Sequence, residues 1–320
     1  MSEFKDEVEA AKALHQAFAD LKAEISKVIV GQDEVVRLLL ISMFCEGHSL
    51  LVGVPGLAKT LLVKTISSAL HLDFNRIQFT PDLMPSDILG AETLDKDRNF
   101  KFIKGPIFSN IVLADEINRT PPKTQAALLE SMQEYAVTVG GKKWELDKPF
   151  FVLATQNPIE QEGTYPLPEA QLDRFMFMIS LDYPSYESEL SIVKQGGAPI
   201  PEIKPILDAK QIMVFQALIS KVPVADNVIE YAVNLVHKTR PNTERAANVT
   251  QSYLEWGAGP RASQFLIKGA QCHALISGKY SPDIEDVKAV AEPILKHRII
   301  RNFKAEADGM SMSKIIAELL

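Results

Sequence analysis

Apolar and amphipathic stretches alternate through the first half of the chain. Five short apolar runs predict strands, and several of them lack polar alternation, which is typical of a parallel sheet covered on both faces. These runs are SLLVG at 49–53, FNRIQF at 74–79, NIVLAD at 110–115, FFVLATQ at 150–156 and FMFMISL at 175–181. Helical periodicity between them, at 32–46, 59–70 and 121–135, predicts a doubly wound α/β layer.

The last third of the chain changes to helical periodicity without convincing strands. The predicted helices lie near 185–196, 208–221, 225–238, 261–277 and 282–300. Ser281 is expected to cap the last of them, with Pro282 in its first position. The polar, glycine-bearing segment 238–263 is predicted to be a long loop. We therefore expect an α/β domain with an N-terminal helix over 1–185 and a small helical domain over 186–320.

Composition and charge narrow the function classes. The 320 residues are 46% hydrophobic with a formal net charge of -7, which allows two cores and gives no basic excess that favours nucleic acid. The acidic N-terminal stretch does not resemble a signal peptide, and no uncharged apolar run reaches the length of about 18 residues that a membrane span needs, so we expect a cytoplasmic protein. Cys45 and Cys272 are isolated, which favours buried thiols over a disulfide or a zinc site.

The segment LLVGVPGLAKT at 51–61 nearly matches a phosphate-binding loop. Gly53, Lys59 and Thr60 stand where the pattern GxxxxGK[S/T] requires them, and the segment follows a predicted strand and opens a predicted helix. In such a loop the backbone amides hold phosphate, the lysine reaches the β and γ phosphates, and the threonine ligates Mg²⁺. The alternative is an incidental strand-to-helix turn. The predicted nucleotide-binding residues of this loop are Gly53, Val54, Pro55, Gly56, Leu57, Ala58, Lys59, Thr60 and Leu61.

Ala58 stands where the pattern has a second glycine, directly before the lysine. A methyl group matters there only if the backbone requires a positive φ or a very close approach to the ligand. If the residue instead starts the following helix, alanine is harmless and favours that helix. We expect the second arrangement.

Two further predicted strands end in polar residues. NIVLADEINR places Asp115 and Glu116 at a strand terminus, where Asp115 can hold the water shell of Mg²⁺ and Glu116 can polarise the water that attacks ATP. FFVLATQNP leads to Asn157, which can orient that water or contact the γ phosphate. The alternatives are a pair of solvated loop acids and a turn residue before Pro158. Together with the loop at 51–61, the two acids predict phosphoryl transfer from ATP to water.

The segments GVPGLAKT, LADEINR, ATQNP, LPEAQLDRF and GPRAS, in this order, resemble the MoxR family of AAA+ ATPases. The resemblance extends from VIVGQDEV to the last predicted helix. It implies a P-loop NTPase fold in which a doubly wound, five-stranded parallel sheet is followed by a small all-helical lid domain. Alanine before the lysine is usual in this family, so Ala58 is not a sign of a degenerate loop.

The family motifs map onto this sequence position by position. Gly31 and Gln32 in VIVGQ match the segment that lines the adenine pocket of the family. The remaining matches in the first half are the Walker A residues Lys59 and Thr60, the Walker B residues Asp115 and Glu116, and the sensor 1 residue Asn157. The resemblance therefore implies ATP and Mg²⁺ as ligands, with Thr60 and Asp115 holding the metal.

Three arginines outside the loop are candidates for functional roles. Arg174 in LDRF matches the arginine finger, which implies that a neighbouring subunit completes each site and raises turnover by about 10³ to 10⁵. Its alternative role is a surface ion pair. Arg261 in GPRAS matches sensor 2, acting on its own or a neighbouring subunit's nucleotide. Arg119, directly after DEIN, is a candidate for an intersubunit contact, with an ordinary surface role as its alternative.

Two segments resemble insertions of the clade that contains MoxR, magnesium chelatase, dynein and MCM proteins. One spans about 83–108 and the other about 136–147, where two adjacent glycines predict a tight hairpin. Both can project into a central pore and contact a substrate, or pack on their own domain. The residues suggested for substrate contact are Phe100, Phe102, Lys142, Lys143 and Trp144.

The resemblance implies an ATPase that works as a hexameric ring and couples hydrolysis to chaperone-like assembly, remodelling or metal insertion in a client protein. A partner with a von Willebrand factor A-type domain is a further expectation. The alternatives are a nucleic-acid motor or loader of the MCM-like branch and a magnesium-chelatase-like subunit. A scaffold that binds ATP without turnover is a third class, which an intact Glu116 and Arg174 disfavour. The acidic charge balance disfavours nucleic acid.

Overall fold

The computed structural model describes residues 6–94, 96–159, 163–196, 199 and 201–320. The strands in these residues are β1 Ser49–Gly53, β2 Phe74–Gln78, β3 Gly90–Leu94, β4 Phe100–Lys104, β5 Ile111–Asp115, β6 Ala136–Val139, β7 Lys142–Glu145, β8 Phe151–Gln156, β9 Phe177–Leu181, β10 Leu254–Trp256 and β11 Ile300–Arg301. The helices are α1 Glu7–Ile25, α2 Asp33–Phe44, α3 Lys59–Ala69, α4 Pro85–Leu89, α5 Pro122–Glu134, α6 Glu169–Leu172, α7 Tyr186–Gln195, α8 Ala209–Ile219, α9 Asp226–Lys238, α10 Asn248–Tyr253, α11 Pro260–Ile276, α12 Ile284–Leu295, α13 Phe303–Ala307 and α14 Met312–Leu319.

The main sheet has five strands in the order β2-β5-β8-β1-β9. The pairs β2 with β5, β5 with β8, and β8 with β1 are parallel. β5 and β8 are buried over nearly their full lengths, which explains why their sequences lack polar alternation. The predicted α/β fold is therefore confirmed. The register places Gln78 beside Asp115, so the carboxyl ends of β2 and β5 meet at one edge of the sheet.

The chain divides into two compact units. We call Ala19–Arg174 with Ile179–Met213 the sheet unit. The described part of Met1–Phe18, together with Phe175–Met178 and Val214–Leu320, forms the helical unit. The helical lid is confirmed as a domain, whereas the boundary between residues 185 and 186 stays a prediction. Among the described helices, none is both long enough and apolar enough to cross a bilayer.

The helical unit contains a capping box at the start of α12. The Asp283 carboxylate accepts a 3.2 Å hydrogen bond from the Asp286 amide, and the Asp286 carboxylate accepts a 2.9 Å bond from the Asp283 amide. The prediction that Ser281 caps this helix is wrong, because the Ser281 hydroxyl donates to the Pro223 carbonyl and the helix begins only at Ile284. The helix is also shorter at its C-terminal end than predicted.

The segment 238–263 is not simply a long loop. It contains α10 and β10, and β10 pairs antiparallel with β11. The prediction that this part of the chain has no strands is therefore wrong. The reason is length, since β10 has three residues and β11 has two, which is too short for an alternation to be recognised. The short helices α13 and α14 were likewise not predicted.

Two hairpins extend from the sheet unit. β3 pairs with β4 inside the segment 83–108, and β6 pairs with β7 across Gly140 and Gly141. Both glycines have positive φ angles, of 60° and 73°, as a two-residue hairpin turn requires. The Phe102 ring stacks on the Trp144 ring with their centroids 4.5 Å apart. The two hairpins therefore pack against each other through these aromatic side chains.

Candidate functional site

The turn between β1 and α3 starts at Gly53 and ends at Lys59. A Cβ on Gly53 would lie 2.7 Å from the Leu181 carbonyl oxygen, so glycine is required there. Gly56 has a φ of +87°, and no described atom lies within 4 Å of a Cβ built on it. The Lys59 ammonium donates a 2.5 Å hydrogen bond to the Gly53 carbonyl and thereby closes the turn. The backbone at Gly56 is open to a ligand.

Ala58 is the N-cap of α3 and has a left-handed backbone, with φ 54° and ψ 29°. The expectation that alanine merely starts the helix is wrong in this respect, because the position requires the positive φ that glycine adopts without strain. An alanine in this conformation costs about 1 to 2 kcal/mol. The side chain is exposed, so the methyl group itself does not clash. The turn is therefore slightly strained but intact.

The other residues of the predicted loop occupy the same turn. Leu57 is buried and anchors the turn, whereas Pro55 is exposed and Val54 is half-buried. Thr60 and Leu61 lie in the first turn of α3, where the backbone amides have no partner within the helix. These amides and the Thr60 hydroxyl are the donors and the oxygen ligand that a magnesium-bound phosphate needs.

Lys59 interacts electrostatically with two acids that are distant in the sequence. Burial lowers the pKa of the half-buried Lys59 ammonium, and the negative charges of Asp115 and Glu116 act in the opposite direction. Because burial has the larger effect, the two acids balance the positive charge of the Lys59 ammonium only partly. An anionic ligand at the turn would complete the compensation. The loop and the acids thus form one site.

Thr155 on β8 fixes the two acids. Asp115 ends β5, and Glu116 follows it with a left-handed backbone, φ 60° and ψ 50°. The Thr155 hydroxyl donates a 2.7 Å hydrogen bond to Asp115 Oδ1 and accepts a 2.9 Å bond from the Glu116 amide. Strained backbone conformations of this kind persist where the surroundings hold them and are concentrated at functional sites. The sequence analysis assigned no role to Thr155.

Arg76 and Gln78 on β2 were also missed, and they complete a polar network with the acids. The Arg76 guanidinium donates to Asp115 Oδ2 from Nε at 3.0 Å and from Nη2 at 2.7 Å, and Nη2 also donates to Gln78 Oε1. Gln78 Nε2 donates a 2.9 Å hydrogen bond to Glu116 Oε2. The signal in the sequence is the spacing of two polar residues by two positions at the end of a strand, which puts them on one face.

Arg119 contacts the same acid from the other direction. It belongs to the short 3₁₀ helix Ile117–Arg119, and its Nη1 donates a 3.1 Å hydrogen bond to Glu116 Oε2. The Arg119 side chain is 42% exposed, so this pair contributes little to stability. Arg119 therefore also holds the Glu116 carboxylate of its own chain, and its intersubunit contact stays a prediction.

Asn157 follows β8 and is buried. Its Oδ1 accepts a 3.1 Å hydrogen bond from the Ile159 amide, as expected of a turn residue. This bond uses only the carbonyl oxygen of the side chain, so it does not occupy the two donors of the Asn157 amide group. The turn role is present, and the role as sensor 1 stays a prediction.

Gly31 and Gln32 precede α2. Gly31 has a φ of +74°, and a Cβ on it would lie 2.5 Å from the Ser188 hydroxyl oxygen of α7, so glycine is required. Gln32 Oε1 is buried and has no hydrogen-bond partner in the part of the chain that the structure describes. A buried acceptor without a donor is unusual in a folded protein. An amino group such as that of adenine would satisfy it.

The two arginines assigned by resemblance lie in different units. Arg174 follows α6 in the sheet unit, and its backbone amide donates a 3.2 Å hydrogen bond to the Gln171 carbonyl. Within the described residues, Arg174 takes part in no ion pair. Arg261 lies in the first turn of α11 in the helical unit. Their roles as arginine finger and sensor 2 stay predictions.

Comparison with known proteins agrees with the fold and the site. Residues 48–177 match the model of the ATPase family associated with various cellular activities (AAA), and residues 246–319 match the AAA lid domain. The chain is 43% identical over 298 residues to Chaperone MoxR1 of Mycobacterium tuberculosis, which covers 93% of this chain and 79% of the relative. It is 29% identical over 321 residues to Protein MoxR of Methylorubrum extorquens, which covers 95% of this chain and 92% of the relative.

A solved structure is similar over nearly the whole chain. It comes from Cytophaga hutchinsonii, where it was solved as a candidate ATPase, and it matches with a TM-score of 0.90 and 44% identity over 97% of this chain and 95% of that chain. The phosphate-binding turn, the adjacent acids and the matched models define an AAA-type ATPase with a lid. The chain belongs to the MoxR family of AAA+ ATPases.

Proposed function

We propose that this chain hydrolyses ATP to ADP and phosphate, in a Mg²⁺-dependent reaction, at the site formed by the turn 53–60, Asp115 and Glu116. The observation that supports the proposal is the electrostatic interaction of Lys59 with both acids, which joins separate segments at one edge of the sheet. The open backbone at Gly56 and the Gln32 Oε1, which has no hydrogen-bond partner among the described residues, fit the phosphates and the adenine of the substrate.

Each side chain of the site then has one task. Lys59 and the backbone amides of the turn bind the phosphates. Thr60 and Asp115 hold Mg²⁺, which when bound neutralises charge on the phosphate oxygens. Glu116 accepts the proton of the attacking water, and Asn157 orients that water through its amide group. Gln32 Oε1 accepts a hydrogen bond from the adenine amino group.

The subunits work as a ring, which family resemblance implies to be hexameric. Arg174 of one subunit reaches the γ phosphate of its neighbour and stabilises the charge that develops there. The match of LDRF to the arginine-finger motif of the family supports this role over the surface ion pair. Arg261, at the start of α11, reports the state of the nucleotide to the lid.

Single substitutions and mixtures of variants test this proposal. Lys59→Ala abolishes ATP binding, Glu116→Gln preserves binding and loses turnover, and Arg174→Ala preserves binding but lowers turnover by about 10³-fold or more. Lys59→Ala still carries an intact Arg174, and Arg174→Ala still carries an intact turn. Mixing these two inactive variants therefore restores hydrolysis at the interfaces that combine the intact parts. Mixed rings that assemble but stay inactive would refute the arginine's action across the interface.

The work driven by hydrolysis is chaperone-like remodelling, assembly or metal insertion in a client, with a von Willebrand factor A-type protein as partner. The name of the Mycobacterium tuberculosis relative, Chaperone MoxR1, supports the general role. The Glu116→Gln variant in ATP is the appropriate trap, since it holds the substrate-bound state. Proteins that co-purify with this trap but not with Lys59→Ala are clients or partners. Identical co-purification with both variants contradicts a nucleotide-dependent role.

The hairpins are the proposed client-binding elements. Phe100 on β4 is 74% exposed, and Lys142 and Lys143 on β7 are also exposed. Phe102 and Trp144 are instead stacked on each other, so their part is to hold the hairpins together. Alanine at Phe100 or Lys143 is expected to leave basal hydrolysis unchanged and to reduce client remodelling. Unchanged remodelling in both variants would exclude these residues from client binding.

A further inference from the structure

Arg76 contacts one oxygen of Asp115, the acid proposed to hold the metal. Thr155 uses one of the two lone pairs of Asp115 Oδ1, so Oδ2 offers the greater capacity for a metal or its water shell. Arg76 donates to this Oδ2 from Nε at 3.0 Å and from Nη2 at 2.7 Å. Asp115 is only 13% exposed and Arg76 is 45% exposed. A partly exposed cation thus covers the acid that is proposed to hold the metal.

A guanidinium that donates twice to Oδ2 and a hydrated Mg²⁺ compete for this oxygen. Both are cations that interact with the same lone pairs, and two like charges at contact distance repel each other. The arginine side chain has a long flexible stem, and β2 is the outer strand of the sheet, so Arg76 can withdraw into solvent without disturbing the core. Asp115, by contrast, is held in place by Thr155.

We propose that Arg76 is a positioning residue that stands in for Mg²⁺ at Asp115 before the metal binds and withdraws when Mg²⁺ arrives with the nucleotide. This inference rests on the proposed function, in which Asp115 supports the metal. Arg76 neutralises the Asp115 carboxylate before substrate binds, and it competes with Mg²⁺ for this carboxylate when the metal binds. Its action on the reaction passes through Asp115.

The same movement reaches the second acid. Nη2 of Arg76 also donates to Gln78 Oε1, and Gln78 Nε2 donates to Glu116 Oε2 at 2.9 Å. Withdrawal of Arg76 removes the contact that holds the Gln78 amide from one side. Gln78 is therefore held less tightly after Arg76 withdraws, whereas Arg119 still donates to Glu116 Oε2.

The proposal predicts effects of opposite sign on nucleotide binding with and without metal. Binding of a fluorescent ATP analogue is measured in the Glu116→Gln background, which removes turnover from the readout. In EDTA, Arg76→Met weakens binding, because the uncovered Asp115 carboxylate repels the phosphates. With Mg²⁺ titrated at fixed nucleotide, Arg76→Met lowers the half-saturating Mg²⁺ concentration by about two- to fivefold, the range expected for a partly exposed ion pair. Arg76→Lys keeps the charge and stays near wild type in both measurements.

A matched control separates this role from structural damage. Arg245→Met removes an exposed arginine that donates to Asn234 in the helical unit, and it is expected to change neither measurement. A purely structural role of Arg76 would weaken binding under both conditions. Weaker binding under both conditions, or an unchanged Mg²⁺ requirement, therefore overturns the inference.

Asp115→Asn distinguishes failure of the inference from failure of the proposed function. If this variant requires more Mg²⁺ than wild type and Arg76→Met does not require less, only the role of Arg76 is wrong. If Asp115→Asn and wild type require the same Mg²⁺ concentration, Asp115 does not support the metal. The proposed metal site and the role of Arg76 then fail together.

Discussion

The side-chain amide of Gln78 donates a 2.9 Å hydrogen bond to Oε2 of Glu116, the acid proposed to activate water. Arg119 donates to the same oxygen at 3.1 Å, so the direction of this carboxylate is set by two neighbours. Neither neighbour belongs to the phosphate-binding turn. We therefore expect the orientation of Glu116 to be adjustable without loss of the proposed nucleotide binding.

Replacement of Gln78 tests this separation. Gln78→Leu removes the donor and lets the Glu116 carboxylate rotate, so we expect kcat to fall by about tenfold while the Kd for ATP stays unchanged. Gln78→Glu places a second carboxylate against Glu116 and has a larger effect of the same sign, because like charges repel. Steady-state kinetics and equilibrium binding measure the two quantities. A wild-type kcat in Gln78→Leu would contradict the role.

Position 58 tests the left-handed backbone of the turn. Glycine adopts the φ of 54° without strain, so Ala58→Gly is expected to raise the free energy of unfolding by up to about 1 kcal/mol and to preserve ATP binding. Ala58→Val places a β-branched side chain in the same conformation and is expected to lower stability and weaken ATP binding. Thermal unfolding and nucleotide titration compare the variants. Equal stability of the glycine and valine variants would mean that the position has an ordinary φ in solution.

His48 makes the stability of the sheet unit depend on pH. Burial lowers the pKa of its imidazole to about 4, below the ordinary value of 6.5. Nδ1 accepts from the Val152 amide at 3.0 Å and Nε2 contacts the Met132 carbonyl at 3.1 Å, so only the neutral ring with its proton on Nε2 satisfies both partners. The unfolded chain therefore binds more protons between these pKa values, and stability falls as the pH drops through that window.

The expected loss from His48 is on the order of 2 kcal/mol between about pH 7 and pH 5. His48→Asn keeps a donor and an acceptor but gains no proton in this range, so it flattens the dependence. Denaturant unfolding at several pH values and constant ionic strength provides the comparison. Burial also lowers the pKa of His297 in the helical unit. His297 therefore makes stability depend on pH with the same sign, and this contribution remains in His48→Asn. Identical slopes in wild type and His48→Asn would contradict the assignment.

Arg298 connects separate segments of the helical unit through buried hydrogen bonds. Its guanidinium donates to the carbonyls of Phe175 at 2.6 Å and Met176 at 3.2 Å and also to the Ile294 carbonyl. Arg298→Ala leaves these buried carbonyls without that donor, so we expect the free energy of unfolding to fall by about 3 kcal/mol or more. The exposed Arg245→Ala is the matched control and stays within about 0.5 kcal/mol of wild type. Equal effects of the two changes would show that burial of Arg298 is not important.

Much of the fold could be predicted because its long elements carry clear periodicity. β5 and β8 are buried on both faces, and their sequences are almost continuously apolar, so their position in the interior of the sheet is indicated by the sequence. The cap of α12 was placed incorrectly because Ser281 and Asp283 are both good N-cap residues. Only the reciprocal contact with Asp286 decides between them, and that contact depends on where the backbone turns.

The candidate site could be predicted where its residues form short sequence motifs, and it was missed where residues of separate strands come together only in the sheet. Lys59, Asp115 and Glu116 belong to recognisable motifs. Arg76 and Gln78 lie on an outer strand with no motif of its own, and their importance follows from the register that places Gln78 beside Asp115. Ala58 shows a different limit, because a sequence pattern gives the residue type but not the sign of φ.

The single hydroxyl of Thr155 contacts both acids, because it donates to the Asp115 carboxylate and accepts from the Glu116 amide. A ligand that shifted the Asp115 carboxylate would also disturb the hydroxyl that contacts the Glu116 amide, so the acid proposed to hold the metal and the acid proposed to activate water are connected through the neighbouring strand. Thr155→Ser is expected to keep both hydrogen bonds. Thr155→Val has nearly the same shape but removes them, so it would disconnect Asp115 from Glu116 while leaving the sheet intact.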